Sequence, residues 1–316
     1  MISLAYQIIR TARPRQWLKN FSIFAAPVFL GTLFVENNLH KCIIAFFIFS
    51  FAASGIYFVN DIIDAPKDRK HPIKKNRPIA SGKVSEALAW VIAFVLILGS
   101  IFLAVRLVGT FFTYTIVAYI LLQISYSLYL RNVIILDSLT VATGFVLRVF
   151  AGGFASSTSL SSWLILATIG LSLLLAFGKR RSEKTILAKY SKLDPDSSET
   201  RETLRHYPDT LLDSMISMSA SFCIISYSLF AFQASPQNAS KILTSFLPSI
   251  IKNPKWMMLT IPIVIYGVGR YLYIIYEKGE GESPERVILS DMPLLISVIA
   301  WGAAILAVIY LLPVLG

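Results

Sequence analysis

Apolar runs long enough to cross a lipid bilayer follow one another along this 316-residue chain, and they restrict its fold more than any other feature. In the hydrocarbon layer a backbone has no water to bond to, so only helices and closed barrels span it. A helix needs about 20 residues to cover the ~30 Å. The runs fall at roughly 20–36, 40–60, 86–106, 110–130, 133–155, 161–179, 211–233, 256–276 and 289–314. They predict an all-α polytopic membrane protein with nine transmembrane helices. Since 55% of residues are hydrophobic and 15% charged, no room remains for a soluble domain, and residues 1–316 read as a single transmembrane domain. Residues 1–19 form an interfacial segment, because Ile2, Leu4, Ile8 and Ile9 make an amphipathic start rather than a cleavable signal. Residues 61–85 and 180–210 are the loops expected to carry the active site.

The formal charge of +11 could point to nucleic acid, but the basic residues sit in short segments between runs, where the positive-inside rule already puts them. The bilayer, not nucleic acid, is the expected partner. Of the 29 Lys and Arg, all lie on the N-terminal side of the membrane except Lys41, Arg106, Lys241, Lys252 and Lys255 opposite, and Arg148 deep in the fifth run. The N-terminus and the site are therefore read as cytoplasmic and the C-terminus as outer, in a cell (inner) membrane. A charge as deep as Arg148 faces either a structural partner or a pocket wall. Cys42 and Cys223 lie in apolar runs without CxxC spacing and read as packing residues.

Chemistry concentrates in Tyr57–Lys83, YFVNDIIDAPKDRKHPIKKNRPIASGK. Asn60, Asp64 and Asp68 recur every fourth residue, which on a helix puts them near one face with Asp61 beside them. They offer oxygens alone, the donors Mg2+ prefers when it bridges carboxylates to substrate phosphates. Lys67, Arg69, Lys70, Lys74, Lys75, Arg77 and Lys83 follow directly and suit an anion. The combination reads as a magnesium diphosphate site, with Asn60, Asp61, Asp64 and Asp68 on the metal and Lys67, Lys74 and Arg77 on the substrate. Asp61 is outer-shell or alternate. Pro66 disturbs a helix interior, which moves Asp68 toward the loop side of the helix end.

A second cluster, AFGKRRSEK at Ala176–Lys184, stands to the sixth run as the first stands to the second. Lys179 and Glu183 are an i, i+4 pair able to face the same cavity, and Arg180 joins them as a functional candidate, whereas Arg181 and Lys184 read as stop-transfer charge. The segment Thr185–Thr210, with Arg201, Arg205, His206 and Tyr207, is long enough for a lid or an interfacial helix. Arg270, at the end of the eighth run, is a further substrate candidate.

The spacing Asn60-x-x-x-Asp64-x-x-x-Asp68 at the end of the second helix resembles the first aspartate motif of the UbiA superfamily of intramembrane prenyltransferases. Arg13-Pro14-Arg15-Gln16-Trp17-x-Lys19-Asn20, Asn76-Arg77-Pro78-Ile79-Ala80-Ser81-Gly82, Tyr126-Ser127-x-x-Leu130-Arg131 and Gly178-Lys179-Arg180-Arg181-x-Glu183 are similar to its decaprenyl-phosphate 5-phosphoribosyltransferase branch. The resemblance runs from about Arg13 to Pro293. It implies a UbiA-like bundle, Mg2+ as cofactor, and transfer of the 5-phosphoribosyl group from phosphoribosyl diphosphate to a polyprenyl phosphate, for lipid-linked sugar and cell-envelope synthesis. It further implies Lys19, Asn20, Tyr126 and Arg131 as substrate ligands and Asp61, Asp64, Lys179 and Glu183 as catalytic residues.

Ordinary members carry a second DxxxD where this chain has Lys179 and Glu183. Replacing a carboxylate with a cation favours a substrate bearing a further phosphate. A lipid phosphate is already anionic and needs no general base, in keeping with His40, His71 and His206 standing apart from other catalytic-looking groups. The nearest rival is transfer of a polyprenyl chain from its diphosphate to an aromatic acceptor, which the missing DxxxD disfavours. A transporter would instead carry its polar residues near the midplane. The sequence is compatible with a homo-oligomer.

Overall fold

The structure is a computed structural model describing residues 3–70, 74–191, 207–235, 255–278 and 284–313. Every regular element among them is helical: α1 (Leu4–Ala12), a 3-10 segment (Pro14–Phe24), α2 (Ala25–Phe29), α3 (Asn38–Asp68), α4 (Glu86–Leu107), α5 (Thr110–Leu128), α6 (Leu136–Ala155), α7 (Ser162–Ser191), α8 (Asp209–Gln233), α9 (Ile261–Tyr273), α10 (Pro284–Ser290) and α11 (Met292–Leu306). Eight spans among the described residues are long and apolar enough to cross a membrane, the last two including the 3-10 and π turns that flank α9 and α11. The protein is a multi-pass membrane protein. The outer face of α4 (Val91, Phe94, Val95, Leu98, Phe102) remains exposed, as a lipid-facing surface does.

The expected first span, 20–36, is not one long α-helix. Pro14 opens the 3-10 segment, Pro27 falls in the short α2, and the chain turns at Gly31 with φ +70°, so no uninterrupted α-helical ladder is established. The stretch still runs antiparallel along α3. Arg13 pairs with Asp61, Trp17 donates to Ser54, Asn20 donates to Ser50, Phe21 packs on Phe46, and Asn38 at the start of α3 donates to the Thr32 carbonyl. Eleven residues of 3-10 helix and five of α-helix cover about 30 Å, one hydrocarbon thickness.

Between helices in lipid, close backbone approach replaces the hydrophobic effect as the source of packing. Gly152 of α6 lies directly against the Ile23 carbonyl, where any Cβ would overlap, and a Cβ on Gly170 would come 2.7 Å from Cys223 Cα across the α7–α8 contact. Both cysteines are free and buried. Arg148 is buried beside the same 3-10 segment: its Nε donates to Asn20 at 2.7 Å, its other nitrogens to the Gly144 carbonyl and the Tyr119 hydroxyl, and three aromatic rings face its guanidinium. Of the two roles open to it, the structural partner is the one built.

Both expected active-site loops begin later than their sequence boundaries. α3 continues past 61 to Asp68, because Pro66 sits in its last turn and forfeits just the bond to the Ile62 carbonyl. α7 continues past 180 to Ser191, its cations finding acidic partners on the way. Arg201, Arg205 and His206 lie outside the described residues. Tyr207 is no lid residue, since it is 1% exposed in the core between α6 and α8.

Candidate active site

Asn60, Asp61, Asp64 and Asp68 fall within an arc of about 100° on α3, as their spacing requires. Each is engaged from another segment. Asp61, 3% exposed, pairs with Arg13 and at 3.3 Å with Arg77, and the same Arg77 nitrogen lies 2.7 Å from Asp68. Asp64 accepts from Arg131 at 2.8 Å and Asn60 from the Ser127 hydroxyl at 2.5 Å. Arg13 lies over the Tyr57 ring, and its left-handed backbone, φ 53°, lets the chain turn from α1 into the 3-10 segment there.

Among the described residues no three His, Cys, Asp or Glu side chains gather closely enough to hold a metal between them. Two acids do converge. Asp61 and Asp68 share one Arg77 nitrogen, so a cation already sits between two carboxylates, with Asn60 and Asp64 adding oxygen on the same face. That donor set fits a hard divalent ion.

The second cluster packs around Arg180, which is 3% exposed. Its Nε donates to Asp137 at 2.5 Å, one terminal nitrogen to Glu183 at 2.7 Å and the other to the Tyr126 hydroxyl at 3.1 Å. Lys179 stands 3.7 Å from Glu183 and is the more exposed partner. Asp137, in the first turn of α6, also accepts from the Tyr207 hydroxyl at 2.6 Å and the Ser138 amide at 2.7 Å. Burial, and then the bond to Asp137, push the Tyr207 phenol up to about 12, so it remains a donor at neutral pH. Tyr126 and Ser127 are neighbours in the last turn of α5. One touches Arg180 and the other Asn60, and this joins the two clusters into one site.

The UbiA prenyltransferase family profile matches residues 20–179. The chain belongs to this family. Over 98% of its length it is 33% identical to the decaprenyl-phosphate phosphoribosyltransferase of Corynebacterium glutamicum, 89% of which is covered. It is 31% identical, also over 98% of its length, to the protein of the same name from Mycolicibacterium smegmatis, 94% of which is covered. A UbiA homolog from Archaeoglobus fulgidus, solved bound to DMAPP and Mg2+, aligns with a TM-score of 0.68 at 18% identity, covering 96% of this chain and 99% of that one. The fold is therefore a UbiA fold.

In this UbiA chain most of the residues selected from sequence meet at one place: Asn60, Asp61, Asp64, Asp68, Arg77, Arg131, Tyr126, Lys179, Arg180 and Glu183 are linked by the contacts above. Asp61, read as outer-shell or alternate, is as central as Asp68. Lys67 and Lys74 are exposed beside the acids, and Lys19 is half-buried.

Two expected substrate ligands bond instead to partners outside the two clusters. Asn20 is 1% exposed, its amide donating to Ser50 and accepting from Arg148. Arg270 makes a two-pronged pair with Asp291 at 3.0 and 2.9 Å, tying α9 to the N-terminus of α11, which Asp291 also caps. Both stand near motif residues or helix ends, and depth in a bundle has no sequence signal at that scale. Asp137 went unnoticed, although a lone acid inside an apolar run was the signal available. Arg13 stands in the Arg13–Asn20 motif, and its pairing with Asp61 has no signal in the sequence.

Proposed function

We propose that this protein transfers the 5-phosphoribosyl group from phosphoribosyl diphosphate to the phosphate of a polyprenyl phosphate, releasing diphosphate. The observation that carries the reading is the composition of the second cluster: Lys179 and Glu183 stand where a second carboxylate pair would serve a second metal, so a cation replaces one of the two acids, and Arg180 adds another beside it. A donor with a 5-phosphate beyond its diphosphate supplies the anion those cations suit. The relatives named for this activity, similar over nearly the whole chain, support it.

Asn60, Asp61, Asp64 and Asp68 would hold Mg2+, which when bound neutralises the diphosphate leaving group. Arg77, Arg13 and Arg131 then exchange carboxylate for phosphate oxygen, each charge-assisted bond contributing about 1.5 to 3 kcal/mol. Glu183 and the α3 acids offset positive charge developing at the ribose C1 as its bond to the diphosphate oxygen breaks. The lipid phosphate oxygen attacks C1 from the opposite side, anionic already and in need of no base. The excess of Lys and Arg on this face supports a cytoplasmic site and N-terminus, where a soluble donor is met, with the C-terminus on the outer side.

The test is a membrane assay with radiolabelled phosphoribosyl diphosphate, magnesium and polyprenyl phosphate, read as label extracted into organic solvent. Labelled lipid that disappears in Asp64→Ala supports the reading. An unlabelled lipid phase, under conditions where polyprenyl diphosphate alkylates an aromatic acid, reverses donor and acceptor and overturns it.

A further inference from the structure

Immediately before α6 the chain adopts a conformation that its residues do not favour. Ile135 has φ 71° and ψ −47°, and the Leu136 amide donates to the Ile134 carbonyl at 2.8 Å, a three-residue turn with a positive φ at its centre. A β-branched side chain is strained there, and such strain persists when surrounding contacts over-determine it. Those contacts are present. The Ile135 amide donates to the Tyr207 hydroxyl at 2.6 Å, and that hydroxyl donates in turn to Asp137. Lys184 of α7 donates to the Tyr207 carbonyl at 2.5 Å, so the residue that props the turn is itself fixed.

The result is a carboxylate aimed inward in the first turn of α6, 1% exposed, with three donors on it. One of the three is Arg180 Nε. A guanidinium buried to this degree needs a counter-charge close by, and Asp137 supplies it on the side away from Lys179 and Glu183. With Nε held, the two terminal nitrogens are left to face Glu183 and Tyr126, toward the junction of the two clusters. We infer that Asp137, propped by Tyr207 through the strained turn at Ile135, is a positioning residue that presents Arg180 to a phosphate group of the donor. The inference rests on the proposed function for the identity of the donor and deepens it by naming what fixes its phosphate ligand.

Losing the carboxylate charge in Asp137→Asn leaves Glu183 as the remaining acid on Arg180, so the guanidinium turns toward Glu183 and draws it from Lys179. The expected outcome is a KM for phosphoribosyl diphosphate raised at least about tenfold with kcat changed less than about threefold. Tyr207→Phe removes one hydroxyl and keeps the ring, and should raise KM about threefold with little loss of thermal stability. In an Arg180→Lys background, Asp137→Asn should add almost nothing, because the group it orients is gone. A purely structural Asp137 would predict the opposite: a lower thermal midpoint and unchanged KM, with any coupling to Arg180→Lys confined to stability.

Calorimetric binding of ribose 5-phosphate to the purified protein, with magnesium present, separates this inference from the proposed reaction, because the 5-phosphate is the anion the second cluster suits. If the wild type binds ribose 5-phosphate but transfers no phosphoribosyl group, and the two substitutions weaken binding non-additively, the positioning role stands and the reaction falls. Unchanged ribose 5-phosphate affinity and KM in Asp137→Asn, additivity of the two binding losses, or no ribose 5-phosphate binding by the wild type would overturn the positioning role.

Discussion

At the end of α3 Asp61 and Asp68 are buried and their arginines are not: Arg13 and Arg77 keep 32% and 29% of their side-chain surface exposed, against 3% for Asp61 and 6% for Asp68, while Arg131 and Asp64 are both part-exposed at 20% and 25%. In α7 the arginine is itself buried, Arg180 at 4% beside Asp137 at 2% and Glu183 at 17%. The three arginines of the first cluster arrive from three different segments on flexible stems. Ion pairs of that exposure are individually weak, so they can be traded for a phosphate at little cost. Arg180 is held by Asp137, Glu183 and Tyr126 through one N–H each and keeps them, so it meets a phosphate with its remaining N–H groups rather than by exchange. One cluster is built to change partners when substrate arrives, and the other to keep them.

The largest effect should come from the acids. Asp64→Ala is expected to lower magnesium-dependent turnover by at least about a hundredfold with the thermal midpoint in detergent unchanged, and near-normal turnover would remove Asp64 from the metal set. Arg77→Gln should act next, raising the donor KM about ten- to a hundredfold. It should also strengthen binding of Mg2+ or Mn2+ in the absence of donor, since Asp61 and Asp68 lose the cation that competes for their oxygens. Unchanged metal affinity would mean that Arg77 does not hand over, and the contrast between the clusters would fail. Asn20→Ala should move stability rather than kinetics, because it takes one buried partner from each of Arg148 and Ser50, at about 1 to 3 kcal/mol. A raised donor KM with an unchanged thermal midpoint would return Asn20 to the substrate.

Much of this was legible because membranes limit the alternatives. Apolar length gave the spans 40–60 through 289–314 to within about three residues except at the ends of α3 and α7, which run on to Asp68 and Ser191, and the four-residue spacing of Asn60, Asp64 and Asp68 gave the face they share. Where the reading stopped, a physical reason can be named. The stretch expected as the first span is 3-10 over Pro14–Phe24 and α-helical only over Ala25–Phe29, a break at its prolines to which a count of apolar residues is blind. Which arginine meets which acid depends on contacts such as Arg77 with Asp61 and Asp68, or Arg131 with Asp64, that join residues up to 67 positions apart. Asn20 and Arg270 look like site residues in sequence because polarity near a helix end is the same whether it faces a ligand or a neighbouring helix. Asp137 owes its position to a strained turn at Ile135 that no propensity would suggest.

The smallest predicted effect tests the ion pair that lies away from both clusters. Arg270, and after it Lys278, hold the Asp291 carboxyl well below the usual carboxylate range by hydrogen bonding to it between the last two spans. An unfolded Asp titrates near about 3.9, so the stability this pair adds is complete above about pH 5 and is lost as pH falls through 4 toward the lower folded value. Asp291→Asn should accordingly be less stable than the wild type at pH 7, and its thermal midpoint should fall less than the wild type's between about pH 5 and pH 3. Because Arg270 is 25% and Lys278 40% exposed, solvent screens the pair and added salt should narrow the difference further. Parallel loss of stability in the two proteins across that window would show that Arg270 contributes nothing there, and would reopen its place among the substrate ligands of the cluster that changes partners.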